Sequence, residues 1–287
     1  MKISVLIAAY HAAPFMPGAL ASVARQSHSD WELVVVEDGS NDGTEALVRD
    51  FVQAYPKNNV VYENLGENRG VAAARNRLLA LATGDAVAFL DADDHWQPDH
   101  LAHLAAAFEA GASLAFSGIE IWDGDNNVSR GHYVPPGEWV AQPRRWLFEH
   151  SFIQTSSCVG LTRATVQRTG LIDESLRIGE DRDYWFRAMA DGGKLACTGA
   201  VTCRYTKHEG SSMTKTLRVA ADTVRFYEKH ATAPDIPPSL RKRLLAEARL
   251  TEGRLVRATD PQRARQLFRS AWRTWPWSLR HWIFLLR

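Results

Sequence analysis

Ten residues, Asp85-Ala-Val-Ala-Phe-Leu-Asp91-Ala-Asp93-Asp94, end a short apolar run in three carboxylates within four positions. An apolar run of this length between polar residues reads as a buried strand. Three acids at its end repel one another and lose solvation. A divalent cation among them would neutralise the group, because hard cations take carboxylate oxygens. Ligands of open α/β sheets bind just beyond the carboxyl ends of the strands. The same acids could equally be solvated turn formers, a common use of Asp after a strand. A second acidic strand end, Glu37-Asp38, follows Glu32-Leu-Val-Val-Val. Neighbouring parallel strands would set both groups along one sheet edge. One carboxylate there could accept from a base N–H or a ribose hydroxyl, and another could hold a metal against a diphosphate. Neither Gly-x-Gly-x-x-Gly nor Gly-x-x-x-x-Gly-Lys-Ser/Thr occurs. Both motifs need glycines for close backbone approach to phosphate, so a dinucleotide-binding Rossmann domain and a P-loop are disfavoured.

The elements that must position these acids alternate. Ile3–Ala9, 32–37, 60–62 and Asp85–Asp91 read as strands. Helices are expected at about Pro14–Gln26, 41–55, Gly70–Leu81 and Pro98–Ala110, the last opening on a proline at its first turn. That alternation implies a parallel sheet with helices on its faces and right-handed crossovers. Leu114–Ser117 can be one more strand. Residues 118–140, rich in Gly, Asp, Asn, Pro and Trp, suggest an irregular insertion or a hairpin. Residues 161–169 and 181–191 look helical, 195–206 extended, and the chain from about Leu217 onward mostly helical, with breaks at Pro234–Pro238 and Asp260-Pro261. The expected division is a domain over 1–215, with a donor-binding half at about 1–117 and an acceptor-side half at about 118–215, followed by a basic, Trp-rich helical segment over 216–287.

Composition is that of an ordinary globular protein of 287 residues, with a formal net charge of +1. The charge is unevenly spread: residues 241–287 carry twelve Arg/Lys and three Asp/Glu. Such asymmetry suggests a basic segment that meets an anionic surface. The basic residues lie in the C-terminal helices without a recognised nucleic-acid module, so no nucleic-acid partner is expected. Three cysteines without metal-ligand spacing fit free thiols in a reducing compartment. The first strand starts almost at Met1 with no signal-peptide pattern, and no stretch of eighteen apolar residues occurs. The expected location is cytoplasmic, with peripheral contact at the cytoplasmic face of a membrane as a further option.

Five segments in order resemble the successive motifs of family 2 glycosyltransferases: Val5-Leu-Ile-Ala-Ala-Tyr10, Val36-Glu-Asp-Gly-Ser-Asn-Asp-Gly-Thr44, Asn68-Arg-Gly70 with Ala74-Arg-Asn76, Asp91-Ala-Asp-Asp94 and Gly179-Glu-Asp181. The resemblance covers roughly residues 1–215. It implies the GT-A fold, a Rossmann-type, mainly parallel α/β sheet flanked by helices, here with a C-terminal helical extension. It also implies inverting transfer of a sugar from a nucleotide-diphosphate donor, UDP-sugar favoured, to a hydroxyl of a saccharide or lipid-linked acceptor, with Mg²⁺ or Mn²⁺ as cofactor. Cell-surface polysaccharide or glycolipid synthesis is the setting that fits.

Under that resemblance Tyr10 would stack on the base and Asp38 would contact its edge, whereas Asp38 before Gly39 could otherwise simply form an Asx turn. Arg75 would lie near the diphosphate. Asp91 and Asp93 would bind ribose and metal, with Asp94 a further metal ligand. Asp181 would be the general base, although acids at a helix start are also favoured by the macrodipole alone. His208 could reach the metal or diphosphate, and Glu180, Arg204 and Ser211 could contact the diphosphate or the acceptor. Ala8, His11 and Glu37 stand where Pro, Asn and Asp are usual, which leaves base and sugar preference open. The alternatives are a nucleotidyltransferase on a similar sheet, which would carry a Gly-rich basic loop where His11-Ala-Ala-Pro-Phe-Met-Pro stands, and a non-catalytic nucleotide-sugar-binding module.

Residues 118–150 and the C-terminal helices are expected to shape the acceptor site. Arg263–Arg287 holds Trp272, Trp275, Trp277 and Trp282 among basic residues. That composition suits a membrane interface or, equally, an amphipathic helix docked on the rest of the protein with its arginines in water.

Overall fold

Short β-branched runs separated by helical stretches leave little choice but a sheet buried on both faces. The computed structural model, which describes residues 1–56, 59–208 and 216–277, has that sheet. Strand β1 (Ile3–Ala9) leads into helix α1 (Met16–Ala24), β2 (Trp31–Glu37) into α2 (Thr44–Ala54), β3 (Asn59–Asn64) into α3 (Val71–Leu81), and β4 (Ala86–Phe89) begins the return. These four strands are parallel, in the order β3-β2-β1-β4. Every residue of β2 is buried. Full burial of each Val or Leu side chain contributes about 1.5–3 kcal/mol, so such a run cannot remain at an edge.

Beyond β4 the sheet becomes mixed. Strand β5 (His95–Trp96) is followed by α4 (His100–Glu109), β6 (Leu114–Asp123), β7 (Val128–Tyr133), α5 (Pro143–Glu149), β8 (Val159–Thr162), α6 (Arg163–Thr169), α7 (Glu180–Ala188) and β9 (Leu195–Lys207). Strand β8 runs antiparallel to both β4 and β6, β9 runs parallel to β6, and β7 closes a hairpin on β6. The described residues form nine strands in one sheet. Residues 118–140 are therefore largely hairpin. Two-residue β5, α5 and the start of β8 lie where the sequence showed no period, being too short to display one, while Leu161 and Thr162, read as helical, end β8 before α6 begins at Arg163. Asp91 lies beyond its strand: β4 stops at Phe89, and residues 91–94 form a turn closed by the Asp94 amide on the Asp91 carbonyl at 3.0 Å.

Helices α8 (Thr216–Lys229), α9 (Pro238–Val256) and α10 (Pro261–Thr274) follow. The chain divides into two compact units: residues 1–174 with 184–209, holding the whole sheet, and residues 175–183 with 210–287. In the second unit, α10 starts on Asp260, whose side chain accepts from the Arg263 amide at 2.9 Å, with Pro261 at the first helical position. Its buried stripe, Ala264, Phe268 and Ala271, packs with Ala246, Leu250 and Val256 of α9, and Trp275 joins that cluster. Its arginines face water, with Trp272 and Trp277 exposed beside them. The amphipathic face is thus used against a neighbouring helix. Trp282 lies outside the described residues, as does Ser211.

Candidate functional site

The chain leaves β1 to build β2 and β3 on one side, then returns to place β4 on the other, so β1 and β4 flank a switch point. A crevice outside the carboxyl ends is where ligands bind in such sheets. Three predicted residues sit at those ends: Tyr10 after β1, Asp38 after β2 and Asp91 just past β4. Tyr10 is half exposed, its ring edge-on to His11 with centroids 4.3 Å apart. Asp38 is buried, and its two oxygens accept from the Arg69 amide at 2.7 Å and the Gly70 amide at 2.8 Å. It thereby ties the β2 end to the loop that opens α3. Gly39 lets the two segments meet: its φ is +76°, and a Cβ there would lie 2.3 Å from the Glu67 carbonyl carbon. Glu37 is fully buried and bonded to the Ser40 hydroxyl, while its Oε2 has no partner among the described residues. Burial raises its carboxyl, with the Asp42 charge adding to the rise against the lowering Ser40 bond.

The turn after β4 gathers the chemistry. Asp91 Oδ1 accepts from Arg75 Nη2 at 2.7 Å, an ion pair in which the arginine is buried and the carboxylate a third exposed. Asp93 Oδ2 lies 3.0 Å from His208 Nε2, and the His208 ring stacks on Phe15 with centroids 5.4 Å apart. Burial pushes the Asp93 carboxyl up and the Asp91 charge pushes it further, against a lowering bond from His208. The sequence-predicted Arg75, Asp91, Asp93 and His208 are therefore brought together.

Asp94 does not join them. It is 1% exposed, with Oδ2 accepting from the Thr155 hydroxyl at 3.0 Å and Oδ1 from the Thr206 amide at 2.8 Å. Burial, then the charges of Asp93 and Asp91, raise its carboxyl well above the usual range. With both oxygens committed inside the protein, Asp94 braces the turn from below. Arg204 is likewise engaged away from the turn: Nε donates to Glu120 at 2.8 Å and the guanidinium lies 4.0 Å over the Trp122 ring.

Sequence reasoning missed the supports. The Ser157 hydroxyl accepts from the Asp91 amide at 2.9 Å, and the Ser157 carbonyl accepts from the Trp96 indole at 2.6 Å. The hydroxyl run Thr155-Ser156-Ser157 before a short apolar stretch was the available signal. Phe15 was hidden in an apolar stretch where nothing marked it as a partner for a histidine.

In the second unit, α7 opens after Gly179 with Glu180, Asp181 and Asp183 in its first turn. Acids there are stabilised by the helix dipole. Glu180 is buried, and Asp181 is partly exposed, with Oδ1 accepting from the Arg182 amide at 2.6 Å. Asp183 is fully buried and holds Lys229 Nζ at 2.9 Å and His230 Nε2 at 2.7 Å, fixing the start of α7 to α8.

Among the described residues no three His, Cys, Asp or Glu side chains converge as a ready metal site. Asp93 with His208 nevertheless suits a hard divalent ion, which typically takes one or two carboxylates and completes its shell with substrate phosphates. The raised Asp93 carboxyl beside Asp91 is the setting in which an added cation is most favourable.

The acidic turn at the switch point, with Arg75 and His208 on it, fits a site for a nucleotide-linked substrate. Residues 4–170 match the model for glycosyl transferase family 2, and the chain belongs to that family. It is 30% identical over 194 residues to TuaG of Bacillus subtilis (strain 168), named for teichuronic acid biosynthesis, covering 66% of this chain and 73% of TuaG. It is 25% identical over 214 residues to WfgD of Escherichia coli, a UDP-Glc:alpha-D-GlcNAc-diphosphoundecaprenol beta-1,3-glucosyltransferase, covering 74% of this chain and 79% of WfgD. Among solved structures, S. aureus TarS 1-349 in complex with UDP-GlcNAc superposes with a TM-score of 0.71 at 20% identity, covering 96% of this chain and 81% of that one. Mannosyltransferase PcManGT from Pyrobaculum calidifontis, in complex with GDP-Man and Mn²⁺, gives 0.66 at 21% identity, covering 99% and 78%. These two likenesses show the shared GT-A-type fold.

Proposed function

We propose that this protein is an inverting, metal-dependent glycosyltransferase that takes its sugar from a UDP-sugar and acts in cell-surface polysaccharide synthesis. The observation that carries the reading is the Asp91–Arg75 and Asp93–His208 pairing on one turn at the switch point of a family 2 chain. UDP is favoured because WfgD is named for UDP-Glc and TarS was solved with UDP-GlcNAc. By the same analogy with WfgD, the acceptor is a saccharide joined to a lipid through a diphosphate. The basic outer face of α10, with Trp272 and Trp277 exposed, supports work at an anionic membrane surface.

In this mechanism Tyr10 stacks on the uracil and Asp91 receives the ribose. Asp38 orders the loop around the base. Asp93 and His208 would hold Mg²⁺ or Mn²⁺, which when bound offsets the charge that builds on the leaving diphosphate. Arg75, released from Asp91 or shared with it, meets phosphate oxygen. Asp181 takes the proton from the acceptor hydroxyl as that oxygen bonds to the anomeric carbon. The anomeric C–O bond to the diphosphate breaks, and UDP leaves with the electron pair. Attack opposite the leaving group inverts the anomeric centre. The test is Asp181→Asn, assayed for UDP affinity and for UDP release in the presence of acceptor. An unchanged affinity with turnover reduced about 10²–10⁴-fold supports the base role. Undiminished turnover overturns it, and donor binding without turnover in the wild type, across UDP-sugars and diphosphate-linked acceptors, would leave a binding module.

A further inference from the structure

The second unit contains a cavity of about 790 Å³ whose charged lining is Arg177, Arg218, Arg225, Arg263, Asp222 and Glu252. That volume falls within the range of small-molecule sites. Four guanidinium groups against two carboxylates give the lining a formal charge of +2. The two acids are already spent within the unit. Asp222, almost fully buried, holds Arg225 Nη1 at 2.9 Å and accepts from the Arg177 and Ile178 amides at 3.2 and 3.1 Å. Glu252, equally buried, pairs with Arg263. Arg218 is exposed and makes no hydrogen bond or ion pair among the described residues. Several arginines around one cavity, with an excess of positive charge, fit a compact polyanion. Guanidinium forks match phosphate oxygens two at a time.

We propose that this cavity binds the diphosphate of the lipid-linked acceptor. The proposal rests on the transferase reading above for the identity of that ligand, while the cavity's preference for a diphosphate stands on its own residues. Arg177 is four residues from Asp181 in the same unit, so their backbones are at most about 14 Å apart. A sugar linked through its anomeric carbon to a diphosphate can span such a distance, its phosphates on the arginines and a ring hydroxyl at Asp181.

The test titrates inorganic pyrophosphate, farnesyl diphosphate and farnesol into the full chain held saturated with UDP in Mg²⁺-matched buffer, so that the donor site is filled. The variants are Arg218→Ala and Arg218→Glu, at an exposed position where folding is checked by an unchanged Tm. Pyrophosphate and farnesyl diphosphate should bind and farnesol should not. Arg218→Ala should weaken both diphosphates roughly tenfold, Arg218→Glu should abolish binding, and UDP affinity should not move. Co-sedimentation with phosphatidylglycerol vesicles separates the other source of phosphate: it should be equal in wild type and variants. No diphosphate binding, binding indifferent to Arg218, or a loss confined to vesicles each overturns the proposal. Arg218-dependent pyrophosphate binding in a chain that binds no nucleotide would retain the cavity and sink the transferase reading instead.

Discussion

Replacing Glu32 by Gln should weaken the fold without touching the donor site, because Glu32 sits at the opposite end of the sheet. Its carboxylate is 1% exposed between the first residues of β1, β2 and β3. It accepts from Lys2 Nζ at 2.6 Å, the Ser4 hydroxyl at 2.6 Å, Asn59 Nδ2 at 3.1 Å, and the Thr83 amide and hydroxyl at 2.5 and 2.6 Å. Burial alone would raise the carboxyl, but the Lys2 ammonium and the Ser4 and Thr83 donors overcome it and hold the pKa down to about 2. Against the ordinary value of 4.5, and at about 1.36 kcal/mol per unit, the charged form gains about 3 kcal/mol on folding.

A carboxyl depressed in the folded state contributes fully above its unfolded pKa, and that contribution is lost as pH falls through the folded one. Urea denaturation followed by tryptophan fluorescence should therefore show Glu32→Gln about 3 kcal/mol less stable near pH 7, a Tm lower by roughly 6–12 °C. The gap should shrink by about 2 kcal/mol, to roughly 1–1.5 kcal/mol, by pH 3. Affinity for UDP should equal that of the wild type. A gap under about 1 kcal/mol at pH 7, or one that does not narrow in acid, would refute the reasoning.

Three further outcomes follow from the geometry. Gly39→Ala should lower Tm, costing more than about 1 kcal/mol, and should weaken UDP binding with it, because the added methyl meets the Glu67 backbone; an unchanged Tm would count against this. Tyr10→Ala should leave stability within about 0.5 kcal/mol but weaken UDP binding at least about fivefold, in line with loss of a base-stacking ring; equal affinity would remove Tyr10 from the donor site. Asp183→Asn leaves Lys229 and His230 without their buried anion, so α8 amides should exchange with solvent faster by a factor that reflects about 3 kcal/mol, and unaltered exchange would contradict the latch.

The first half of the sheet was legible because each strand through β4 is built around a short apolar run and each helix between them is long enough to show its period. Strand β8, with four residues, and β5, with two, are held by partners distant in sequence, and nothing local announces them. At the site, the resemblance to family 2 glycosyltransferases placed Arg75, Asp91, Asp93 and His208 in one group across 133 positions of sequence, and the structure pairs Arg75 with Asp91 and Asp93 with His208. Three acids in four positions look equivalent on paper, and only the turn decides which carboxylate faces inward toward Thr155 and Thr206. The Arg-lined cavity was foreshadowed only as a charge imbalance in the C-terminal helices. Three of its four arginines, Arg177, Arg218 and Arg225, lie outside the segment where that imbalance was counted.

As proposed, the turn after β4 is a metal-assisted nucleotide-sugar site. Titration calorimetry of UDP and of UDP-sugars into the protein, with Mn²⁺, with Mg²⁺ and with EDTA, on wild type and Asp93→Asn, tests it most directly. Binding should depend on the metal, be lost with EDTA, and become indifferent to metal in Asp93→Asn. Nucleotide binding equal in all three conditions and in the variant, or no binding by a protein shown to be folded, would contradict it.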